Sequence, residues 1–344
     1  MKLKSYSRWV LPALLVAFAV GACVDDEWQV TETPSFAKEC PPGQKAKGNC
    51  DQEPPPPPPP EGPVEPNLPD AAPREGLVKP NRIAVTPDGN LLVADPHTRT
   101  IQYVPIGSLQ PTNSLDTQGR PAGVALLANK IFVGNGDTGG IDMYAAEGGA
   151  FLGSTGYPGM QAPSDLEADE EAGLLFVSDV RAGQVFVFDA DGVFVREISS
   201  KGLNSEQLFA PMGLALDPVA GEVFVSDWGD FGNNLNATAY VKIFAYDGTY
   251  LDAISGAGNC GMLGCSGGFS RPHGITIANG KVFVSDVMQA QVMVLDRATK
   301  AAVTTIGSRP ELRLPTDVVV LNDTDLFVSS TKTGSIELFA GAAQ

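Results

Sequence analysis

Histidine is nearly absent from this chain of 344 residues, which contains only His97 and His273. A metal centre with three histidine ligands is therefore excluded. Basic residues are also scarce, with 23 Lys and Arg against 40 Asp and Glu, so the formal net charge is −17. Because so acidic a surface repels nucleic acid and anionic membrane surfaces, the composition argues against both as partners.

The chain also has too little apolar sequence near its N-terminus for a membrane-spanning helix. Residues 9–19 form an apolar run of 11 residues, whereas a spanning helix needs about 20. A basic stretch with Lys2, Lys4 and Arg8 precedes the run. Residues 1–22 are therefore predicted to be a signal peptide for export.

The predicted leader ends in Val20-Gly21-Ala22-Cys23. This ending resembles the bacterial lipobox, which implies that Cys23 is lipidated and becomes the mature N-terminus. Two or three acyl chains would anchor the protein stably, because one chain alone is marginal. Val24 stands where an aspartate would imply retention at the inner membrane, so the same resemblance implies the outer membrane. The alternative is a plain signal peptide followed by a chance cysteine.

Cysteine is infrequent, and its five positions fall into a pattern: Cys23, Cys40, Cys50, Cys260 and Cys265. Export makes disulfides plausible. With Cys23 assigned to the lipid, we predict disulfides between Cys40 and Cys50 and between Cys260 and Cys265. The second pair could also be half of a metal site, but no histidine or further cysteine lies near it in sequence.

Residues 23–78 contain few large apolar side chains and are rich in Pro, Glu, Asp and Gly, which predicts a disordered tether. Residues 54–60 are seven consecutive prolines. They should form a polyproline II rod roughly 20 Å long. The tether is interpreted as a spacer that holds a folded head off the membrane. A docking site for a proline-binding domain is the alternative.

A single pattern recurs six times in the rest of the chain: a proline, an apolar strand, a short gap and a second apolar strand. The leading prolines are Pro80, Pro121, Pro163, Pro211, Pro272 and Pro315. They lie 41, 42, 48, 61 and 43 residues apart. A period in the low forties with several short strands is typical of a propeller blade. Residues 79–344 are therefore predicted to be an all-β, six-bladed β-propeller with four-stranded antiparallel blades.

Two details of the repeat carry structural predictions. The second strand ends in aspartate in four copies: Asp95, Asp179, Asp227 and Asp286. Each carboxylate can accept hydrogen bonds from the following turn, so a structural role is predicted for all four. The sixth copy lacks a fourth strand, and propellers usually close by letting the other terminus complete that blade. Part of residues 70–78 is therefore predicted to lie along it.

The pattern Pro-x-Gly-Ile-Ala-Val, a gap, Leu-Phe-Val-Ser-Asp and an apolar third strand resembles the NHL repeat over about residues 78–341. The resemblance implies a six-bladed propeller. Some relatives are metal-dependent lyases or lactonases. The amidating-lyase pattern needs three histidines around the channel, and only His273 occupies such a position. Asn81, Asp165, Glu167 and Asp317 could imitate the Glu/Asn/Asp set of lactonase-like propellers, although no matching local motif is present.

Two insertions in and after blade four predict a binding rim. Residues 228–238 lie between the second and third strands, and the Cys260–Cys265 loop follows the fourth. Both should open on the face that carries the leading prolines, where long loops often bind partners. The candidate binding residues are Trp228, Asp230, Phe231, Asn233, Asn234, His273 and His97. The alternative is that the aromatic residues only pack the insertion down.

The channel mouth has unexpected charges. Asp165 and Asp317 replace the usual glycine in opposite blades, and Glu167 lies on the same face of its strand as Asp165. With His273, these carboxylates could hold a hard cation such as Ca²⁺. The alternative is that each carboxylate accepts a backbone amide or pairs with Arg82.

Together these observations predict an exported lipoprotein, lipid-anchored in the outer membrane and facing the periplasm or the cell surface. Its propeller is predicted to bind an envelope protein or a glycan, and its only membrane attachment is the lipid. The alternative function is a metal-dependent hydrolase, lactonase or lyase that uses the channel carboxylates and His273.

Overall fold

A computed structural model describes residues 76–230, 239–255 and 268–344, together with the backbone of two short strands between residues 260 and 265. The chain divides into the units Met1–Pro55 and Pro56–Gln344, and all described residues belong to the second. The predictions for residues 1–22, for the tether up to residue 75 and for Cys23, Cys40 and Cys50 lie outside the described residues.

The described chain forms 25 strands. Blade one contains β1 (Ile83–Val85), β2 (Leu91–Asp95), β3 (Thr100–Val104) and β4 (Asn113–Asp116). Blade two contains β5 (Pro121–Leu127), β6 (Lys130–Asn135), β7 (Ile141–Ala145) and β8 (Phe151–Thr155). Blade three contains β9 (Pro163–Asp169), β10 (Leu174–Asp179), β11 (Gln184–Asp189) and β12 (Phe194–Ile198).

The second half follows the same plan. Blade four contains β13 (Pro211–Asp217), β14 (Glu222–Asp227), β15 (Tyr240–Ala245) and β16 (Tyr250–Ser255). A two-residue hairpin follows, β17 (Cys260–Gly261) and β18 (Gly264–Cys265). Blade five contains β19 (Pro272–Ala278), β20 (Lys281–Asp286), β21 (Gln291–Asp296) and β22 (Ala302–Ile306). Blade six contains β23 (Pro315–Leu321), β24 (Asp325–Ser330) and β25 (Ser335–Phe339).

Each blade is an antiparallel sheet whose strands pair in chain order. The first strands contact one another around the centre in the order β1, β5, β9, β13, β19 and β23, and β23 contacts β1 to close the ring. The predicted all-β, six-bladed propeller is therefore confirmed. None of the described residues forms a helix long and apolar enough to cross a membrane.

The hydrophobic core lies between blades. Six clusters of buried apolar side chains occupy the six junctions. The junction of blades six and one packs Ile83 and Leu91 against Phe327 and Ile336. Because a blade buries both faces of its sheet only against its two neighbours, the near-continuous apolar runs of the second and third strands are required by the ring. The fourth strands are more exposed, as in β22.

The aspartates that end the second strands join two segments on one face of the ring. Asp179 accepts the amides of Gln161 and Ala162 at 2.6 and 2.9 Å, ahead of its blade's leading proline. Its other oxygen accepts the amides of Arg181 and Ala182, in the following turn, at 3.0 and 2.8 Å. The predicted bonds to the following turn are present. The bonds to the preceding segment place the turn and the leading proline on the same face.

Blade six has three strands among the described residues. Leu77 packs against the cluster that contains Ile336 of β25, and the amide of Val78 donates to Asp95 at 2.7 Å. The chain therefore enters the propeller beside the blade that lacks a fourth strand. Most of the segment predicted to complete this blade, residues 70–75, lies outside the described residues.

Candidate functional site

The first strands bend where they reach the mouth of the channel. In blade three Pro163 pairs with Asp179, while Asp165 pairs with Ser178, so Ser164 is an extra residue. The same register shift follows the leading proline in blades two, four, five and six. Such bulges turn the backbone out of the ladder. Backbone carbonyls at these bulges are therefore free to accept hydrogen bonds from side chains at the centre.

Arg82 occupies the centre of this mouth and is fully buried. Its Nε–H donates to the carbonyl of Ser164 at 3.1 Å, and Nη1 donates to the carbonyl of Thr316 at 3.0 Å. Nη2 donates to the carbonyl of Met212 at 2.5 Å. Met212 belongs to blade four, which lies opposite blade one in a ring of six. The Arg82 side chain therefore crosses the channel and joins blades three, four and six to its own.

Asp165 and Asp317 flank the guanidinium. Each has a carboxylate oxygen 3.5 Å from an Arg82 nitrogen. Their other oxygens accept amides of the next blade, from Leu214 at 2.9 Å and from Ile83 at 2.7 Å. The two contacts predicted as the alternative to cation binding are thus both observed. Each aspartate accepts a hydrogen bond from a backbone amide, and each pairs with Arg82.

In blades four and five, glycine occupies the position equivalent to Asp165 and Asp317, and the reason is steric. A Cβ atom added to Gly213 would lie 2.0 Å from the carbonyl oxygen of His273, and one added to Gly274 would lie 2.4 Å from Cα of Asp317. The first strands approach one another too closely for a side chain in these blades. Asp165 and Asp317 fit at this position because the neighbouring blade presents a backbone amide there, which donates to the carboxylate.

Glu167 lies two residues deeper on β9, is half-buried and has no hydrogen-bond partner among the described residues. Burial, together with the charges of Asp165 and Asp317, raises its pKa well above the usual value. Burial and the Asp165 charge also raise the pKa of Asp317 to about 7, although Arg82 acts in the opposite direction. Burial and mutual repulsion therefore favour protonation of these carboxyls, while Arg82 favours their charged forms.

His273 is buried beside the same cluster. Its Nδ1 lies 2.7 Å from the carbonyl oxygen of Thr316. Because a carbonyl only accepts, Nδ1 carries the hydrogen, and Nε2 has no partner among the described residues. Burial and the Arg82 charge lower the pKa of His273 well below the usual value. The ring is therefore neutral near pH 7, with one nitrogen available as an acceptor.

The structure thus brings the predicted cation ligands Asp165, Glu167 and Asp317 to one place, with the Arg82 guanidinium paired to both aspartates. No group of three or more His, Cys, Asp or Glu side chains in the described part of the chain is arranged to hold a metal ion. Calcium takes six to eight oxygen ligands. The binding of Ca²⁺ stays a prediction.

Trp228 joins the rim of blade four to blade five. Its indole Nε1–H donates to the carbonyl of Pro272 at 2.6 Å, and its ring meets His273 edge-on at 5.8 Å. The Arg271 guanidinium lies 5.8 Å from the same ring. The indole is half-buried. These three side chains form what we call the rim cluster: Trp228, Arg271 and His273.

The other predicted rim residues lie partly in the described chain and partly outside it. Asp230 is half-buried at the start of the insertion, and Phe231, Asn233 and Asn234 lie outside the described residues. His97 is exposed in the turn after β2, on blade one. The backbones of Cys260 and Cys265 pair directly opposite each other in β17 and β18, and their disulfide stays a prediction.

Two features were not found from the sequence. One is the reach of Arg82 across the channel, for which its charge at a glycine position was the only signal. The other is the serine that precedes the last residue of the second strand. Ser178, Ser226 and Ser329 each donate to a carbonyl of the next blade, at 3.2, 2.6 and 2.9 Å. These side chains link successive blades around the channel.

No protein-family model and no curated protein sequence matches the chain. Solved structures do resemble it. Hydrazine synthase of Kuenenia stuttgartiensis aligns with a TM-score of 0.57 and 11% identity over 79% of this chain and 98% of that chain. A chain of the nidogen/laminin complex aligns with a TM-score of 0.56 and 17% identity over 71% and 87%. Virginiamycin B lyase from Staphylococcus aureus gives 0.52 and 14% over 77% and 87%. At these identities the likeness shows the fold alone.

Proposed function

We propose that this protein is an exported, lipid-anchored lipoprotein whose NHL-like propeller binds a partner of the cell envelope through its rim cluster. Lipidation of Cys23 supplies the anchor and residues 23–78 the tether. The observation that carries the proposal is the pairing of Arg82 with both channel aspartates. It leaves the channel mouth filled by groups that bond to each other, whereas the rim cluster presents the half-buried ring of Trp228, packed near the buried side chains of Arg271 and His273.

A protein partner is the better fit to this cluster. Tryptophan and arginine are the side chains most enriched at the energetic centres of protein interfaces. Trp228 is held in one orientation by its bond to Pro272, so little side-chain entropy is lost on binding. A propeller to which this chain is similar belongs to a complex of nidogen with laminin, which supplies a precedent for the fold.

The test is capture of the partner by crosslinking in membranes of cells that express the protein. Trp228→Ala should abolish the crosslinked species, because it removes the ring that Arg271 and His273 contact. Phe151→Ala is the control, since Phe151 is an aromatic residue at 47% exposure on the outer strand β8, away from the rim cluster. Equal crosslinking by both variants would contradict the proposal. Loss of acyl labelling in Cys23→Ala tests the anchor separately.

The second candidate function is a metal-dependent hydrolase, lactonase or lyase. The observation that favours it is the pair of unpartnered groups, Nε2 of His273 and the Glu167 carboxyl. If Ca²⁺ binds the carboxylates of Asp165, Glu167 and Asp317, a chelator should lower the melting temperature of the protein, and elemental analysis should find bound metal. An unchanged melting temperature without bound metal would remove this candidate and leave the binding function standing.

A further inference from the structure

Four exposed cations gather on the face of the leading prolines, where blades five, six and one meet. We call Lys79, Arg309, Arg313 and Lys332 the basic patch. The amide of Lys332 donates to the carbonyl of Arg313 at 3.1 Å. Next to it, the Thr331 hydroxyl donates to the carbonyl of Pro80 at 2.7 Å. The backbones that carry Lys79, Arg313 and Lys332 are therefore held side by side.

Ion pairs among the described residues do not neutralise the basic patch, although the buried Asp95 carboxylate accepts the amide of Lys79 at 2.9 Å. None of its four cations forms an ion pair with a described residue. Glu311 is the one carboxylate in the loops that form the patch, residues 76–80, 307–314 and 331–334. Blade six also has Ser330 where four other blades have a buried aspartate, and its hydroxyl accepts the amide of Arg313 at 3.0 Å. No buried strand-end carboxylate therefore lies beneath Arg313 and Lys332.

Many carboxylates of the propeller lie on the other face of the ring. The loops that join first to second strands and third to fourth strands carry many carboxylates, among them Asp88, Glu147, Glu170, Glu171, Asp189, Asp191, Asp247, Asp296 and Asp323. A strand of five or six residues spans roughly 17–20 Å. This is about two screening lengths at physiological ionic strength, where the Debye length is about 8 Å. A ligand at the basic patch is therefore largely shielded from these acids.

Apolar side chains border the cations. Val78 is 38% exposed and Met288 is 51% exposed. Arg309 extends toward Met288, whose carbonyl accepts from its Nη2 at 3.4 Å. Cations next to exposed apolar side chains characterise surfaces that lie on anionic lipid headgroups. Lys79 directly follows the predicted tether, residues 23–78, in the sequence.

We propose that the basic patch docks on the anionic headgroups of a phospholipid membrane, with the acidic face of the propeller turned away from it. The inference rests on the proposed lipid anchor for its setting, since the anchor holds the head within reach of a membrane. The headgroup contact is separate from the anchor and from the rim cluster. It revises what the net charge of −17 implies, because a total over the whole sequence does not show where on the propeller the charges lie.

The test uses the full chain with Cys23→Ala, so that no acyl chain is attached. Its sedimentation with phosphatidylcholine vesicles is compared with that on vesicles that also contain phosphatidylglycerol, at low and at high salt. The patch variant is Lys79→Glu/Arg313→Glu/Lys332→Glu. The matched control, Lys130→Glu/Lys281→Glu/Lys300→Glu, changes the net charge equally on the acidic face. The apolar residues 9–19 are present in every variant and contribute equally.

The unsubstituted surface should bind phosphatidylglycerol vesicles in a salt-sensitive way. The patch variant should bind them at least about a hundredfold more weakly, given the usual contribution of each cation near an anionic surface. The control should bind like the parent. Equal losses in both variants, or equal binding to both vesicle types, would overturn the proposal. Displacement by inorganic phosphate at constant ionic strength would assign the patch to a free phosphate group, and binding seen only after deletion of residues 24–75 would assign it to the acidic tether.

Discussion

Replacing Arg82 by methionine removes the only cation among three carboxylates at the centre of the channel. The guanidinium is fully buried and donates to carbonyls of three other blades. Breaking a buried ion pair by removing one partner typically costs about 3–5 kcal/mol, because a charge is left uncompensated. We expect Arg82→Met to lower the free energy of unfolding by about this amount at pH 8.

The loss should depend on pH. The pKa of Asp317 is raised from 3.8 to about 7, so the folded state holds this proton more tightly than the unfolded chain. Its contribution to stability is full below about pH 4 and is lost as the pH rises through 7. Arg82 limits this loss, since it favours the charged carboxylates. Without Arg82 the pKa values of Asp165, Glu167 and Asp317 rise further, so Arg82→Met should be most destabilising above pH 7 and least near pH 5.

Urea unfolding followed by circular dichroism at pH 5 and pH 8 measures both effects. The control is Arg82→Met/Asp165→Asn/Asp317→Asn, which keeps an oxygen for the amides of Leu214 and Ile83 but removes the charges. This triple variant should recover most of the stability at pH 8. A loss below about 1 kcal/mol, within the range of an exposed ion pair, would refute the argument. Equal losses at the two pH values would also refute it.

Three further substitutions test the links between blades. Gly213→Ala places Cβ 2.0 Å from the carbonyl oxygen of His273 and should lower the free energy of unfolding by about 3 kcal/mol, whereas Gly156→Ala, with its nearest atom at 3.8 Å, should leave the melting temperature nearly unchanged. Asp179→Ala leaves four amides without their acceptor and should cost at least about 3 kcal/mol. Slow hydrogen exchange at those amides in the variant would contradict this. Ser226→Ala should cost about 1 kcal/mol by chemical unfolding, because the carbonyl of His273 loses its donor, and unchanged stability would show that the link contributes nothing.

The fold was predictable because the repeat carries two independent signals, a period and a strand pattern. In the third copy the apolar run of residues 185–188 lies within β11, and the Asp191-Gly192 dipeptide, a strong hairpin signal, precedes β12. Each blade buries both faces against its neighbours, so the same apolar pattern is selected six times.

The candidate site was only partly predictable. Comparison of the six copies identified Asp165 and Asp317 as charges at glycine positions, and it named Arg82 as one of two partners. The comparison could not decide whether Arg82 or a bound metal ion balances the charge of these carboxylates. That choice depends on whether the Arg82 side chain reaches blade four, and no spacing along the chain encodes a distance across a closed ring. Trp228 shows the same limit, since its contacts with Pro272 and His273 join residues about 45 apart in sequence.

The deviations from the repeat nevertheless follow a physical rule. A lone charge at a buried position costs several kcal/mol, so a folded ring tolerates such charges only as a set that compensates itself. Arg82, Asp165 and Asp317 occupy one position in three different blades, and they are each other's partners. Ser330 is the converse case, because it replaces the buried aspartate that ends the second strand in four other blades. Without the aspartate, blade six has no strand-end carboxylate beneath Arg313 and Lys332. Deviations at equivalent positions should therefore be read together around the ring, because the ring makes them neighbours.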